Sequence, residues 1–409
     1  MLNANRPTIL STPIITAAKT LIFTAALALL PHADAQDANA PAKKPAAKKS
    51  AAKPDAEPAK AAESSPPAAT AEKPADEDVA RWLGGIEPKG DALKKLAESA
   101  SWKTHAKGLE AAWDQSEKRR IGRVRTWAPD ALGEINKADS PVFYFFSGAD
   151  FLYPHALYPN AKTYVLCAIE PVGSQPNPLR IPAGEVGSSL SVFRRSLDAL
   201  LGFSFFRTID LRKDVVQRHI PGILPVLEMI LARVGADVTE VALVRCDENG
   251  ALSGEADAKG SPGARIKFHV GDKPEQTLYY FSGDLSNDGL KKHGGILKFG
   301  ETLGTGRSLL KAASYLPHEA YFTKINEWIL AHSSVIVQDP SGIPMRGFPK
   351  DGWTFKFWGR NPTPIGLFKN KYEPALASAI KAAPSLPLPF GFGYQHEPAS
   401  SLLILAEKK

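Results

Sequence analysis

The chain has 409 residues, 44% of them hydrophobic and 23% charged, enough apolar material for one large globular domain or two small ones. Its formal net charge of +7 is a modest excess that favours encounters with acidic polymers but specifies neither fold nor reaction. No stretch approaches the roughly 20 consecutive apolar residues that a membrane span requires, so the expectation is a protein that is not membrane-spanning.

Arg6 and Lys19 precede the apolar run LIFTAALALL (21–30), and Ala33-Asp34-Ala35 forms a small-x-small site ahead of Gln36. That order predicts a secretory signal peptide over 1–35 and a periplasmic or secreted mature protein. No cysteine lies near the cleavage site to carry a lipid anchor. Residues 36–76 are almost wholly Ala, Pro, Lys, Glu, Asp and Ser. Such a segment has too little apolar surface to offset the entropy of ordering, which predicts a disordered, semi-stiff linker. Lys43, Lys44, Lys48, Lys49 and Lys53 either solvate this tether or touch an anionic wall polymer or membrane surface.

Residues 77–140 read as a helical lead-in. Leu93, Leu96, Trp102, Leu109 and Trp113 recur at broadly helical spacing. Lys118, Arg119, Arg120, Arg123 and Arg125, between Trp113 and Trp127, have the composition of a phosphate-holding, base-stacking surface. A solvated helix end accounts for them better, and in an exported protein lipid head groups or wall polymers are better partners than nucleic acid.

The α/β domain is expected over 141–409. VFYFFSG (142–148) and TYVLCAIE (163–170) are continuous apolar runs closed by turn residues, as in strands buried on both faces. Helices are predicted at 189–202 and through PGILPVLEMILARVG (221–235), then a strand at 238–246. RIKFHV (265–270) alternates, so one face is wet, and TLYYFSG (277–283) follows; together these read as an antiparallel excursion. GILKFGETLG and SLLKAASYL read as helical, as does 321–333; strands follow at 334–342, 352–359 and 401–406. The expected fold is a mixed, mostly parallel sheet flanked by helices, with the option of two related halves.

That option comes from FYFFSGAD (143–150) and LYYFSGDL (278–285), which pair Tyr144 with Tyr279, Ser147 with Ser282 and Gly148 with Gly283 at one offset. A second echo, Glu170-Pro171-Val172-Gly173 against Asp339-Pro340-Ser341-Gly342, sits at another offset. A duplicated half-domain explains both; chance likeness of two buried strands explains the first. Either way Asp150, Glu170, Asp247, Asp284 and Asp339 fall at strand ends, where open α/β sheets bind ligands. Gathered there, they call for a divalent cation, basic neighbours or a shared proton; taken singly, each suits a cap or turn. Asp150, Glu170, Asp284, Asp339 and His155 are the catalytic candidates, and Ser147, Gly148, Ser282 and Gly283 the ligand-binding ones.

Other motifs are incomplete. No Gly-x-Ser-x-Gly elbow surrounds Ser147 or Ser282, and His318-Glu319 lacks the second histidine of a zinc-protease helix. GETLGTGRS (300–308) places glycines and Arg307 where an anion could be held, but lacks a P-loop ending and fits a helix-to-helix turn better. Cys167 and Cys246 suit buried small hydrophobes, or a disulfide if their strands are neighbours.

The segments FYFFSGADFLYPHALYPNAKTYVLCAIEPVG and GILKFGETLGTGRSLLKAASYLPHEAYF resemble a family of bacterial exported proteins of unknown function. The resemblance runs from about residue 141 to the end of the chain; it implies export and carries over no catalytic residue. A strand ending in a glycine turn, then a strand ending in Glu170, also resembles the opening of Rossmann-like nucleotide and methyl-donor sites, where the acid binds ribose hydroxyls. The chain departs from that pattern in the glycine spacing of SGAD and in Pro154 and Pro159, and export separates it from cytosolic cofactor pools. Two functions therefore stand as expectations: an envelope binding module for a wall component, glycan or partner, or a hydrolytic enzyme using the carboxylates, with or without a divalent metal.

Overall fold

The computed structural model describes residues 73–203, 218–254, 258–360, 363–383, 385–395 and 397–409. The expected signal peptide and all but the last residues of the expected linker lie outside them. Among the described residues no helix is long and apolar enough to cross a membrane.

The strands are β1 (Val142–Phe145), β2 (Thr163–Ala168), β3 (Ala236–Cys246), β4 (Leu252–Ser253), β5 (Ser261–Val270), β6 (Gln276–Ser282), β7 (Gly306–Leu310), β8 (Ser333–Gln338), β9 (Trp353–Gly359) and β10 (Leu402–Lys408). They form one mixed sheet in the order β4-β3-β5-β6-β2-β1-β7-β8-β10-β9. The central five, β6-β2-β1-β7-β8, are parallel. On one side β5 and β3 continue antiparallel, the excursion read from the alternation of 265–270. On the other side β10 runs antiparallel between β8 and β9.

Continuous apolar strands demand cover on both faces, and alternation divides their side chains between two cores. Tyr144, Leu166, Tyr280 and Leu309 face the core shared with the lead-in helix Ala100–Ser116 and with helices Val186–Phe203 and Leu224–Arg233. Phe143, Phe145, Cys167 and Leu310 face the opposite core, under helices Gly295–Thr302 and Thr323–His332. There Phe143 and Phe145 meet Trp328 edge-on at centroid distances of 5.0 and 5.4 Å.

Three local readings need correction. SLLKAASYL was expected to be helical, but its first residues form β7, every residue of which is buried. A central slot in the sheet, with Leu309 and Leu310 each filling a different core, outweighs the weak helical preference of the segment. Arg307 consequently sits inside a strand and holds no anion. Its guanidinium donates to the carbonyls of Ile135, at 2.7 Å, and Ser140, and lies over the Tyr158 ring. The basic cluster of the lead-in is also partly internal: buried Arg120 donates to the carbonyls of Leu201 and, at 2.7 Å, Gly202, at the end of helix Val186–Phe203. A cation at the negative end of a helix is favourable there. Arg125 pairs with Glu117.

Glu228, on helix Leu224–Arg233, is fully buried and accepts a 2.6 Å bond from Gln175 Nε2, while its Oε2 has no hydrogen-bond partner. Burial pushes its carboxyl up from 4.5 to about 8. The folded state therefore holds a proton that the unfolded chain releases, and stability falls as pH rises from about 4.5 to about 8. Glu228→Gln keeps the acceptor for Gln175. It should match the parent near pH 4.5 and gain over it by up to about 1.4 kcal/mol per pH unit through that window, read from urea denaturation at several pH values.

Candidate functional site

The chain runs from β1 outward through β2 to β6, then returns to the other side of β1 as β7. β1 pairs with β2 along its whole length, but with β7 only at Val142↔Arg307 and Phe143↔Ser308. Beyond those pairs the strands part, and a cleft of about 310 Å³ opens over the carboxyl ends of β6, β2, β1 and β7. This is the switch point at which open α/β sheets bind ligands.

The base of the cleft is a buried polar bridge across that gap. Lys311 Nζ lies 2.8 Å from Asp150 Oδ2, each side chain being 1% exposed. The ammonium also sits 4.3 Å from the centre of the Tyr153 ring. The Tyr144 hydroxyl lies 3.1 Å from Asp150 Oδ2 and 3.3 Å from the Lys311 carbonyl. Burial, and after it the Asp150 charge, push the Tyr144 phenol well above its usual range, so it stays a donor.

Of the candidate acids, Asp150, Glu170 and Asp284 line this one cleft and Asp339 does not. They do different things. Asp150 is matched by Lys311. Asp284, at the exposed rim, accepts from the backbone N–H and hydroxyl of Ser286 at 2.8 and 3.0 Å, a self-contained turn. Glu170 is 2% exposed, and its Oε2 has no hydrogen-bond partner in the protein. Its own carbonyl accepts from the Tyr280 hydroxyl at 2.8 Å. The segment after it is pinned by bonds from Ile223 N to Pro171 O and from Leu224 N to Val172 O, of 3.1 and 2.9 Å. Gly173 and Gly222 allow that contact: both have positive φ, and a Cβ on Gly222 would stand 2.2 Å from Gly173 Cα.

Asp339 is buried beyond the cleft, where it accepts from the hydroxyl and backbone N–H of Ser341 and, at 3.4 Å, from Tyr394 N. Burial raises its carboxyl above the usual range. Asp247 closes its own turn, accepting from Asn249 N and Ala251 N, each at 2.8 Å. His155 is not at the rim. Its helix, Leu152–Leu157, turns it into the core between Phe151 and Tyr164, where burial lowers it to about 4 and leaves it neutral. Ser147, Gly148 and Gly283 line the cleft, and Ser282 lies outside its lining. Ser147 Oγ donates to the Gly148 carbonyl at 2.8 Å. Cys167 and Cys246 are free buried thiols with β6 and β5 between their strands, which rules out the disulfide.

Sequence reasoning missed Lys311, Tyr144 and the apolar wall of Phe146 and Ile169, the latter 52% exposed. A lone lysine inside SLLKAASYL was the available signal, and the helical reading of that stretch obscured it. Among the described residues, the non-glycine positions with positive φ are Phe146, Ala312, Ser314 and Tyr315. All lie in the loops after β1 and β7, and the first three line the cleft. Backbone strain of this kind, about 1–3 kcal/mol per residue, collects at ligand sites.

Chemically, the arrangement offers one unengaged carboxylate beside an apolar wall. Among the described residues no three His, Cys, Asp or Glu side chains stand close enough to share a metal ion. Comparison with family models, with curated proteins and with solved structures returns no match for this chain.

Removing one member of a buried pair strands the other's charge. Lys311→Met should therefore cost about 3–5 kcal/mol, and the double variant Lys311→Met, Asp150→Leu should recover most of that loss. Denaturant unfolding of the four proteins in a double-mutant cycle measures the coupling; a value below about 0.5 kcal/mol would mean that the bridge is not formed.

Proposed function

We propose that this is an exported cell-envelope protein whose globular body is a binding module for a small polar ligand, supplied by a wall component, a glycan or a partner. What carries the reading is the convergence of four strand ends on one cleft with a single unengaged carboxylate, Glu170, at its wall. The strained loops after β1 and β7 support it, as does the exposed Ile169 side chain, which gives a ligand ring an apolar face to rest on. Hydrolysis of a glycosidic bond, one form of the alternative, ordinarily takes two carboxyl groups, one as acid and one as base or nucleophile. Asp150 is held by Lys311 and Asp284 by its own turn, so the same geometry supports recognition better than that two-carboxylate reaction.

Export is tested by fractionating producing cells and sequencing the recovered protein. The expected mature N-terminus is Gln36, in the periplasm or medium; an intact Met1 in the cytosol would overturn this part.

Binding is tested by thermal shift of the processed protein with monosaccharides, amino acids, nucleosides and dicarboxylates. A ligand at about ten times its Kd adds about 1.4 kcal/mol, which raises Tm by roughly 2 °C for a domain of this size. At least one class should give such a shift, and Ile169→Asp should abolish it. No shift with any class, or one indifferent to Ile169→Asp, would overturn the reading.

A further inference from the structure

We infer that Glu170 receives two neighbouring hydroxyls of an uncharged ring, so that the cleft takes a vicinal-diol ligand, a ribonucleoside or a sugar, and rejects its phosphate ester. The inference rests on the cleft being a ligand site.

A carboxylate oxygen removed from water and left without a donor is costly, and Glu170 Oε2 is in that position. The surroundings hold Glu170 there: the Tyr280 hydroxyl fixes its carbonyl, and the 171–172 backbone is bonded to 223–224. The partner that completes it must bring donors and enter through the cleft. Two adjacent O–H groups match the two oxygens of one carboxylate, and an acid at the end of the strand next to β1 is where doubly wound sheets receive ribose hydroxyls. Ile169, Phe146, Leu316 and Phe322 supply the apolar surface that the ring of such a ligand needs.

The same residues argue against phosphate. Lys311 is the only Lys or Arg among the described lining residues, and it is committed to Asp150. The carboxylates of Glu170 and Asp284 therefore stand without a cation among those residues. The helix after β1 has only six residues and contains Pro154, so it offers no extended helix N-terminus to an anion. A phosphate in the cleft would meet net negative charge, with no lysine or arginine beyond Lys311 among the described lining residues.

The test is calorimetric titration of the processed protein with adenosine, 2′-deoxyadenosine, AMP, methyl α-mannoside and ethanolamine. Adenosine or the mannoside should bind, which of them does so distinguishing a nucleoside from a sugar. If adenosine is the ligand, 2′-deoxyadenosine and AMP should each bind at least about 10-fold more weakly. If the mannoside is, its 6-phosphate should be weaker by the same factor. Glu170→Gln should weaken the diol ligand about 10-fold or more while its Tm stays at or above the parent's, separating lost recognition from lost folding. Equal binding of 2′-deoxyadenosine or AMP, or Glu170-dependent capture of ethanolamine in place of the diols, would overturn the inference. Failure of both diols while another compound binds in an Ile169-dependent way would overturn the inference and leave the cleft reading standing. Failure of every compound in both experiments would remove the two together.

Discussion

Everything at the carboxyl edge of this sheet depends on what bridges the gap between β1 and β7. A parallel sheet wound outward in both directions from its first strand must leave a crevice where the winding reverses, because the loops leaving the two strands turn to opposite faces. Here pairing stops after Phe143 and Ser308, and the backbones then separate. Lys311 and Asp150 span the separation, with Tyr144 reaching both the Asp150 carboxylate and the Lys311 carbonyl. A buried ion pair contributes little net stability, since desolvation consumes most of the attraction. Its stronger effect is geometric. Two opposite charges buried in contact fix the distance between the strand ends, and hence the width of the cleft above them.

The repeated Phe-Ser-Gly strand gains a physical sense from the strand order. β1 and β6 are the two parallel neighbours of β2, in register with it from Val142↔Tyr164 and from Thr163↔Thr277. Their glycine turns therefore flank the end of β2, and Glu170 stands between them. Small residues on both sides, Gly148 and Gly283, leave the space above the strand ends open. The acids that follow the two turns diverge in role because their local surroundings differ. Asp150 reaches inward to Lys311, the residue just after β7, whereas Asp284 finds donors two residues ahead in Ser286 and stays at the rim. The similar stretches thus yield a core charge after β1 and a turn after β6.

What was legible in the sequence follows the range of the interactions concerned. Burial on both faces and alternation are written within single segments, so four of the five central strands, the antiparallel excursion at β5 and β6, and the α/β class could be read directly. The edge of the sheet that gathers Asp150, Glu170 and Asp284 could be read as well, since it follows from strand direction alone. Three-dimensional neighbours were not legible. β7 was taken for a helix because five residues of Gly-Arg-Ser-Leu-Leu carry no strong strand signal, and only the vacancy beside β1 makes them a strand. Losing β7 hid Lys311, and with it the partner of Asp150. His155 was assigned to the rim from its distance along the chain, but a helix of six residues is long enough to carry it past the rim and into the core.

The cleft combines costs that a fold selected for stability alone would shed. Phe146, Ala312 and Ser314 hold left-handed backbone without being glycine, and Glu170 keeps a carboxylate oxygen buried without a partner. Unpartnered polar atoms occur outside the cleft as well: Arg120 and Arg307 donate to helix-end and loop carbonyls but each keeps an unpartnered Nε, and Glu228 Oε2 is unpartnered too, whereas Asp339 is enclosed by Ser341 and Tyr394. What gathers around this cavity is the left-handed backbone, and strain collected at a cavity argues that the cavity is used. The sign of the cost narrows the use. An unmatched carboxylate selects for what donates hydrogen bonds and against what carries negative charge, so the stability given up at Glu170 is also the source of the discrimination inferred for the cleft.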